Sequence, residues 1–296
     1  MLNGVPQLPV MGEFHYSRFR NTEWKHELLK IKAGGIKIVS TYVFWIHHEE
    51  LEGVYDWKDQ RNLRKFLEIC NELNMPVVLR IGPWAHGEVR NGGFPEWLVK
   101  SGIKLRGNDP KYLEKVQKWY SQIYNQAQGL MWKDGGPIIG IQLENEFRGQ
   151  GDQLMTLKKM AVDLGFDVPL YTRTGWPKLS TPVPYGEIIP LYGDYVDGFW
   201  DRSTSEMPGD YSKTFLFRSF RNSTVIATEQ LPAQSGKDNP NDLGYPFFTC
   251  ELGGGMMTSY HRRINIHPMD IYSLALVKVG SGSNLPGYYM YHGGNN

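Results

Sequence analysis

Short runs of unbroken apolar residues recur along this sequence, and each is followed by a longer amphipathic stretch. The runs are Val10–Phe14, Val39–Trp45, Val77–Ile81, Ile138–Leu143, Leu170–Thr172, Ile188–Tyr192, Phe247–Cys250 and Tyr288–Tyr291. Because they are continuously apolar rather than alternating, they fit parallel strands buried on both faces. Between them lie helices with readable ends. Asn21 or Thr22 offers a cap for a helix carrying Trp24, Leu28 and Ile31, which Gly34-Gly35 stops. Asp59–Leu73 carries one stripe of Leu63, Phe66, Leu67, Cys70 and Leu73. Asp109 precedes Pro110 and opens a helix with Val116, Tyr120, Ile123 and Ala127 on one face. A further stripe, Leu154, Leu157, Ala161 and Leu164, runs up to Gly165. This alternation predicts an α/β fold, either a closed barrel or an open doubly wound sheet. The Gly-rich stretch at 253–257 lacks the G-x-G-x-x-G spacing of a dinucleotide site. The eight runs match the strand count of a (β/α)8 TIM barrel, and 296 residues suit a single such domain spanning 1–296. The chain stops just after the last run, so the natural protein is expected to continue.

Composition narrows the partners. Lys plus Arg is 32 against 31 Asp plus Glu, a net charge of +1, so the chain offers no electrostatic footprint for nucleic acid or an anionic membrane. No basic region followed by an apolar run opens the chain, and no apolar stretch reaches the ~18 residues of a membrane span. The two cysteines, Cys70 and Cys250, do not indicate a disulfide framework. Aromatic residues reach 13%, with 9 Trp and 17 Tyr. Such rings build cores and also stack on sugar faces.

In a barrel the site lies at the C-terminal ends of the strands, and carboxylates gather there. Gly135–Phe147 reads GGPIIGIQLENEF, an apolar strand ending in Glu144-Asn145-Glu146. In an ideal strand Glu144 and Glu146 share a direction and Asn145 opposes them. PFFTCELGGG places Glu251 at the end of the seventh run. That carboxylate faces the barrel mouth or pairs with an arginine such as Arg80, since an unpaired buried carboxylate is costly. Glu88 follows the third run, Tyr42 lies on the second and Tyr289 on the eighth. Two carboxylates across such a mouth suit glycoside hydrolysis, in which one gives a proton to the leaving oxygen and the other attacks the anomeric carbon. A separation of about 5–5.5 Å gives a covalent glycosyl-enzyme and retention. Glu146 is assigned as acid/base and Glu251 as nucleophile, with Asn145 bonding the sugar 2-hydroxyl. His47-His48-Glu49-Glu50, with His15 and His86 also following strands, offers metal-ligand types. Adjacent strand residues diverge, however, and no spaced ligand motif is present.

At these residues the chain resembles glycoside hydrolase family 35, the β-galactosidase family, from about Gly12 to Gly294. GGPIIGIQLENEF fits that family's signature. STYVFWIHHEELEGVYDW, LRIGPWAHGEVRNGGFPEWL and YYMYHGGNN are similar to its second-, third- and eighth-strand blocks. The resemblance implies Glu146 as proton donor and Glu251 as nucleophile, with Tyr42, Glu88, Asn145 and Tyr289 as sugar contacts. It implies a retaining exo-β-glycosidase acting on terminal β-D-galactose of oligo- or polysaccharides, with a carbohydrate substrate and no metal or cofactor. C-terminal β-sandwich domains and a secreted or periplasmic location follow from the same resemblance. Three positions depart from the pattern. Leu252 and three glycines follow Glu251, Trp84-Ala85-His86-Gly87-Glu88 replaces Tyr-Ile-Cys-Ala-Glu, and Asn295 replaces Thr. These leave the mechanism intact and the sugar open between galactose, β-glucosaminide, galactosaminide and α-L-arabinopyranoside. A catalytically inactive carbohydrate-binding barrel is the remaining alternative. The segment WDRSTSEMPGDYSKTF, within 200–245, is expected over the pocket.

Overall fold

The computed structural model describes residues 4–172, 179–195, 217, 244–253 and 267–293. It resolves into two compact units. The larger comprises Gly12–Arg173, Leu179–Ile189 and Met290–Asn296. The smaller comprises Met1–Met11, Thr174–Lys178 and Pro190–Tyr289.

In the larger unit strands and helices alternate as the apolar runs predict: β1 (Met11–Phe14), α1 (Trp24–Ala33), β2 (Ile38–Tyr42), α2 (Trp45–His48), α3 (Leu63–Glu72), β3 (Val77–Gly82), α4 (Glu96–Val99), α5 (Pro110–Ala127), β4 (Ile138–Leu143), α6 (Gly151–Leu164) and β5 (Leu170–Thr172). The strands stand in sequence order, β5-β4-β3-β2-β1. β2, β3, β4 and β5 pair in parallel, with Val39 opposite Val77, Val77 opposite Ile138, and Ile141 opposite Leu170. Every residue of β2 and β3 is buried, as two-sided burial requires.

Capping sets the helix ends. Asp109 accepts from the amides of Lys111 and Tyr112 at 2.9 and 3.4 Å, and Pro110 fills the first helical position of α5. Asn62 accepts from Lys65 N at 2.9 Å and starts α3 directly after a 3-10 turn, Asp59–Arg61. The predicted start at Asp59 is therefore displaced by that turn. For α1, neither Asn21 nor Thr22 is the cap. The helix begins after Glu23, whose side chain makes no capping bond. Gly165 closes α6 at φ +107, a conformation glycine adopts without steric cost.

Many of the aromatic residues are core. Trp45 and Trp119 stack at 5.4 Å with planes 2° apart, and Trp57 stacks on Trp119 at 5.8 Å. His48, considered above as a metal ligand, lies inside this stack. Its Nδ1–H donates to Asp56 O at 3.0 Å, and its Nε2 accepts from the Tyr16 hydroxyl at 2.7 Å. Burial drops its pKa to about 3, so the ring is neutral.

The run Ile188–Tyr192, whose first two residues belong to the larger unit and the rest to the smaller, does not form one strand. Its residues divide between the two-residue β6 (Ile189–Pro190) and β7 (Tyr192–Tyr195). β8 (Thr249–Gly253) pairs in parallel with β7, Gly193 opposite Glu251, and with β9 (Gly287–His292), Leu252 opposite Tyr288. α7 (Pro268–Gly280) lies between them in sequence, started by His267, whose ring accepts from Met269 N at 3.2 Å. Both cysteines are buried. The segment expected over the pocket and the position of Asn295 lie outside the described residues.

Candidate active site

Strand β4 ends at Leu143, so Glu144, Asn145 and Glu146 lie beyond it. The Glu144 amide still donates to Gly82 O at 2.7 Å, and the chain then turns sharply. Glu144 and Glu146 both take left-handed conformations, φ 54° and 47°, so strand alternation does not set their directions.

The two carboxylates have different surroundings. Glu144 is buried, and its Oε2 accepts from Arg106 Nε at 3.2 Å and Nη2 at 2.8 Å. The same Nη2 donates to Asn145 O at 2.8 Å. The Arg106 guanidinium lies 4.6 Å from the Trp84 ring centroid. Burial pushes the Glu144 pKa up and Arg106 works against that. Glu146 is partly exposed, with Oε2 3.5 Å from His86 Nδ1. Burial again raises its pKa; the charges of His86, Arg148 and Arg80 oppose the rise and Glu88 adds to it.

Asn145 is buried and held by its oxygen. Oδ1 accepts from Arg80 Nη2 at 3.0 Å and from Gln142 Nε2 at 3.1 Å, which leaves the amide NH2 as the donor end of this side chain. Arg80 is fixed in turn. Its Nη1 donates to both Glu13 oxygens at 2.9 Å, and its guanidinium lies 3.8 Å from the Tyr42 ring centroid. His15 Nε2–H donates to Glu13 Oε1 at 2.9 Å, while His15 Nδ1 accepts from Arg18 Nη1 at 3.0 Å. Burial would raise the Glu13 pKa, but Arg80 and His15 outweigh it and hold the carboxyl below its usual range. Burial lowers the His15 pKa. Arg80, weighed above as a partner for Glu251, thus has a carboxylate partner in Glu13.

Tyr42 ends β2 as a fully buried ring stacked on Phe44 at 5.4 Å. Glu88 is exposed on the loop after β3, at φ 47°. That loop is tied down by Arg18 Nη2, which donates to Gly87 O at 2.6 Å and Glu88 O at 3.0 Å. Gly87 sits at φ +57°, where a Cβ would come 2.6 Å from Phe44 Cε1.

In the smaller unit Glu251 is buried in β8, and the Tyr195 hydroxyl donates to its Oε2 at 3.2 Å. Lys278 and Asp194 form a buried ion pair. Of the residues that depart after Glu251, Leu252 is buried, and a side chain on Gly253 would overlap the Tyr195 ring. Tyr289 is half-buried on β9.

Sequence reasoning missed Arg106 and Tyr195, which carry no local signal. It also missed Glu13 and named Arg80 only as a partner for Glu251, although a charge inside an apolar strand run is a signal that could have found both.

The chain superposes on a crystal structure of beta-galactosidase from the psychrophilic Marinomonas ef1 with a TM-score of 0.63, at 12% identity, covering 95% of this chain and 54% of that one. The fold class is the (β/α)8 TIM barrel. The family model for glycosyl hydrolases family 35 matches residues 1–296. The chain belongs to that family. Its relatives include "Beta-galactosidase" of Homo sapiens, 38% identical over 196 residues, covering 64% of this chain and 29% of that protein. "Beta-galactosidase 17" of Arabidopsis thaliana is 30% identical over 293 residues, covering 97% of this chain and 38% of that protein. The chain thus spans well under half the length of these relatives.

Proposed function

We propose that this chain is a retaining exo-β-glycosidase that removes terminal β-D-galactose. The observation that carries the assignment is the difference between Glu144 and Glu146. Two residues apart, one is occupied by Arg106, while the other is partly exposed with a pKa raised by burial. A raised pKa keeps a proton on Glu146 for delivery to a leaving oxygen. Glu251 takes the nucleophile role. Its ionised oxygen attacks the anomeric carbon as the glycosidic C–O bond breaks. The bonding pair goes to the leaving oxygen, which takes the Glu146 proton. Water, deprotonated by Glu146, then attacks the same carbon and releases Glu251. The NH2 of Asn145 donates to the sugar 2-hydroxyl, an interaction that strengthens as the oxocarbenium develops. Tyr42, Glu88 and Tyr289 complete the sugar contacts, Tyr42 also backing the Arg80 that holds Asn145. The relatives' names and the family assignment support galactose.

A panel of nitrophenyl glycosides, including β-galactoside, β-glucosaminide, β-galactosaminide and α-L-arabinopyranoside, tests the sugar. Activity confined to an amino sugar would overturn galactose. Glu251→Gln is expected to abolish turnover, and unchanged turnover would overturn its role.

A further inference from the structure

We propose that Arg106 is the positioning residue for Glu146, fixing the path of the loop that carries this carboxyl to the leaving oxygen. The inference rests on the reading of Glu146 as proton donor. Arg106 reaches that loop in two ways. Along the chain, one guanidinium spans the two residues just before Glu146: Nε and Nη2 donate to the Glu144 side chain at Oε2, at 3.2 and 2.8 Å, and Nη2 donates to the backbone at Asn145 O at 2.8 Å. Through side chains, its plane packs 4.6 Å from the Trp84 ring centroid, the Trp84 and His86 rings meet edge to face at 5.4 Å, and His86 Nδ1 lies 3.5 Å from Glu146 Oε2. The contacts close a ring: Arg106, Glu144, Asn145, Glu146, His86, Trp84 and back to Arg106.

The loop needs such a clamp. Glu144 and Glu146 both hold left-handed backbone at φ 54° and 47°, a conformation that non-glycine residues keep only where surrounding contacts over-determine it. Gln142 Nε2 adds two bonds, to Glu144 O at 2.8 Å and to Asn145 Oδ1 at 3.1 Å. Arg106 supplies three, and is itself left-handed at φ 53°. Neutralising a buried Glu144 would require only a positive charge. Binding a carboxylate and the next carbonyl together while stacking on an indole requires the planar fork of arginine, which lysine lacks.

A positioning role and a purely stabilising one separate by leaving group. Proton donation matters for an alkyl glycoside and little for a 2,4-dinitrophenyl glycoside, whose leaving group departs as the anion. The test compares kcat/KM of the unaltered chain and Arg106→Lys on both substrates, using the sugar that the unaltered chain cleaves fastest. The expected result is a loss on the order of 100-fold on the alkyl glycoside, the scale of general-acid catalysis, and a far smaller loss on the dinitrophenyl glycoside. An equal loss on both, or no loss on either, overturns the proposal. Should Arg106→Lys fail to show native circular dichroism, Glu144→Gln breaks the same clamp from the other side. The same two substrates are then compared: a loss confined to the alkyl glycoside supports the clamp, and an equal loss or none overturns it. No turnover of any nitrophenyl glycoside by the unaltered chain would instead overturn the enzymatic reading beneath the proposal.

Discussion

Replacing Glu13 by alanine tests the support behind Asn145. Glu13 and Arg80 are 0% and 1% exposed, with both carboxylate oxygens 2.9 Å from Arg80 Nη1. Deleting one member of a buried pair takes the carboxylate from the remaining charge and costs about 3–5 kcal/mol. His15 loses its 2.9 Å acceptor as well, which places the expected cost towards the upper end of that range. Glu13→Gln retains an acceptor without the charge and should fall between alanine and the parent. Urea unfolding at neutral pH, compared across the three, measures this. The folded pKa of Glu13 lies below its ordinary 4.5. The stabilisation is therefore complete above 4.5 and is lost as pH falls through the lower folded value. The gap between the parent and Glu13→Ala should narrow in that acid window. A cost under about 1 kcal/mol, the scale of exposed ion pairs, or a gap that stays constant into acid, would refute the reasoning.

Three other outcomes are expected. Burial raises the Glu146 pKa, so kcat/KM on a poor leaving group should fall as pH rises through that raised value, and Glu146→Gln should remove this limb from the pH–rate profile. Gly87→Ala places a methyl 2.6 Å from Phe44 Cε1 at φ +57°. It should cost about 1–3 kcal/mol in denaturant unfolding and raise KM through displacement of Glu88. Asp109→Ala removes the cap on Lys111 and Tyr112 amides and should cost about 1 kcal/mol of unfolding free energy, read from the same denaturant curves.

Strand–helix order was legible because burial on both faces demands unbroken apolar runs, and β2, β3 and β4 fall largely within theirs. The start at Asp109 was legible because its side chain caps and proline follows; at Glu23 no side chain caps, and at Asn62 a preceding 3-10 turn hid the capping residue. The sixth run was misread because its apolar character outweighed Pro190 inside it; proline cannot donate to a strand ladder, and the break between β6 and β7 falls directly after it.

The sequence by itself determined which glutamates lie on or just past strands, and which family the motifs resemble. It did not determine the division of labour within Glu144-Asn145-Glu146. The period-of-two rule holds only while the backbone is extended, and both glutamates are left-handed. What separates them is a guanidinium 38 positions earlier in the chain, and what holds Asn145 is an arginine 65 positions earlier, itself paired to a carboxylate 67 positions before it. No local pattern encodes partners so distant along the chain. Tertiary packing decided them, because a buried charge is stable only beside its partner.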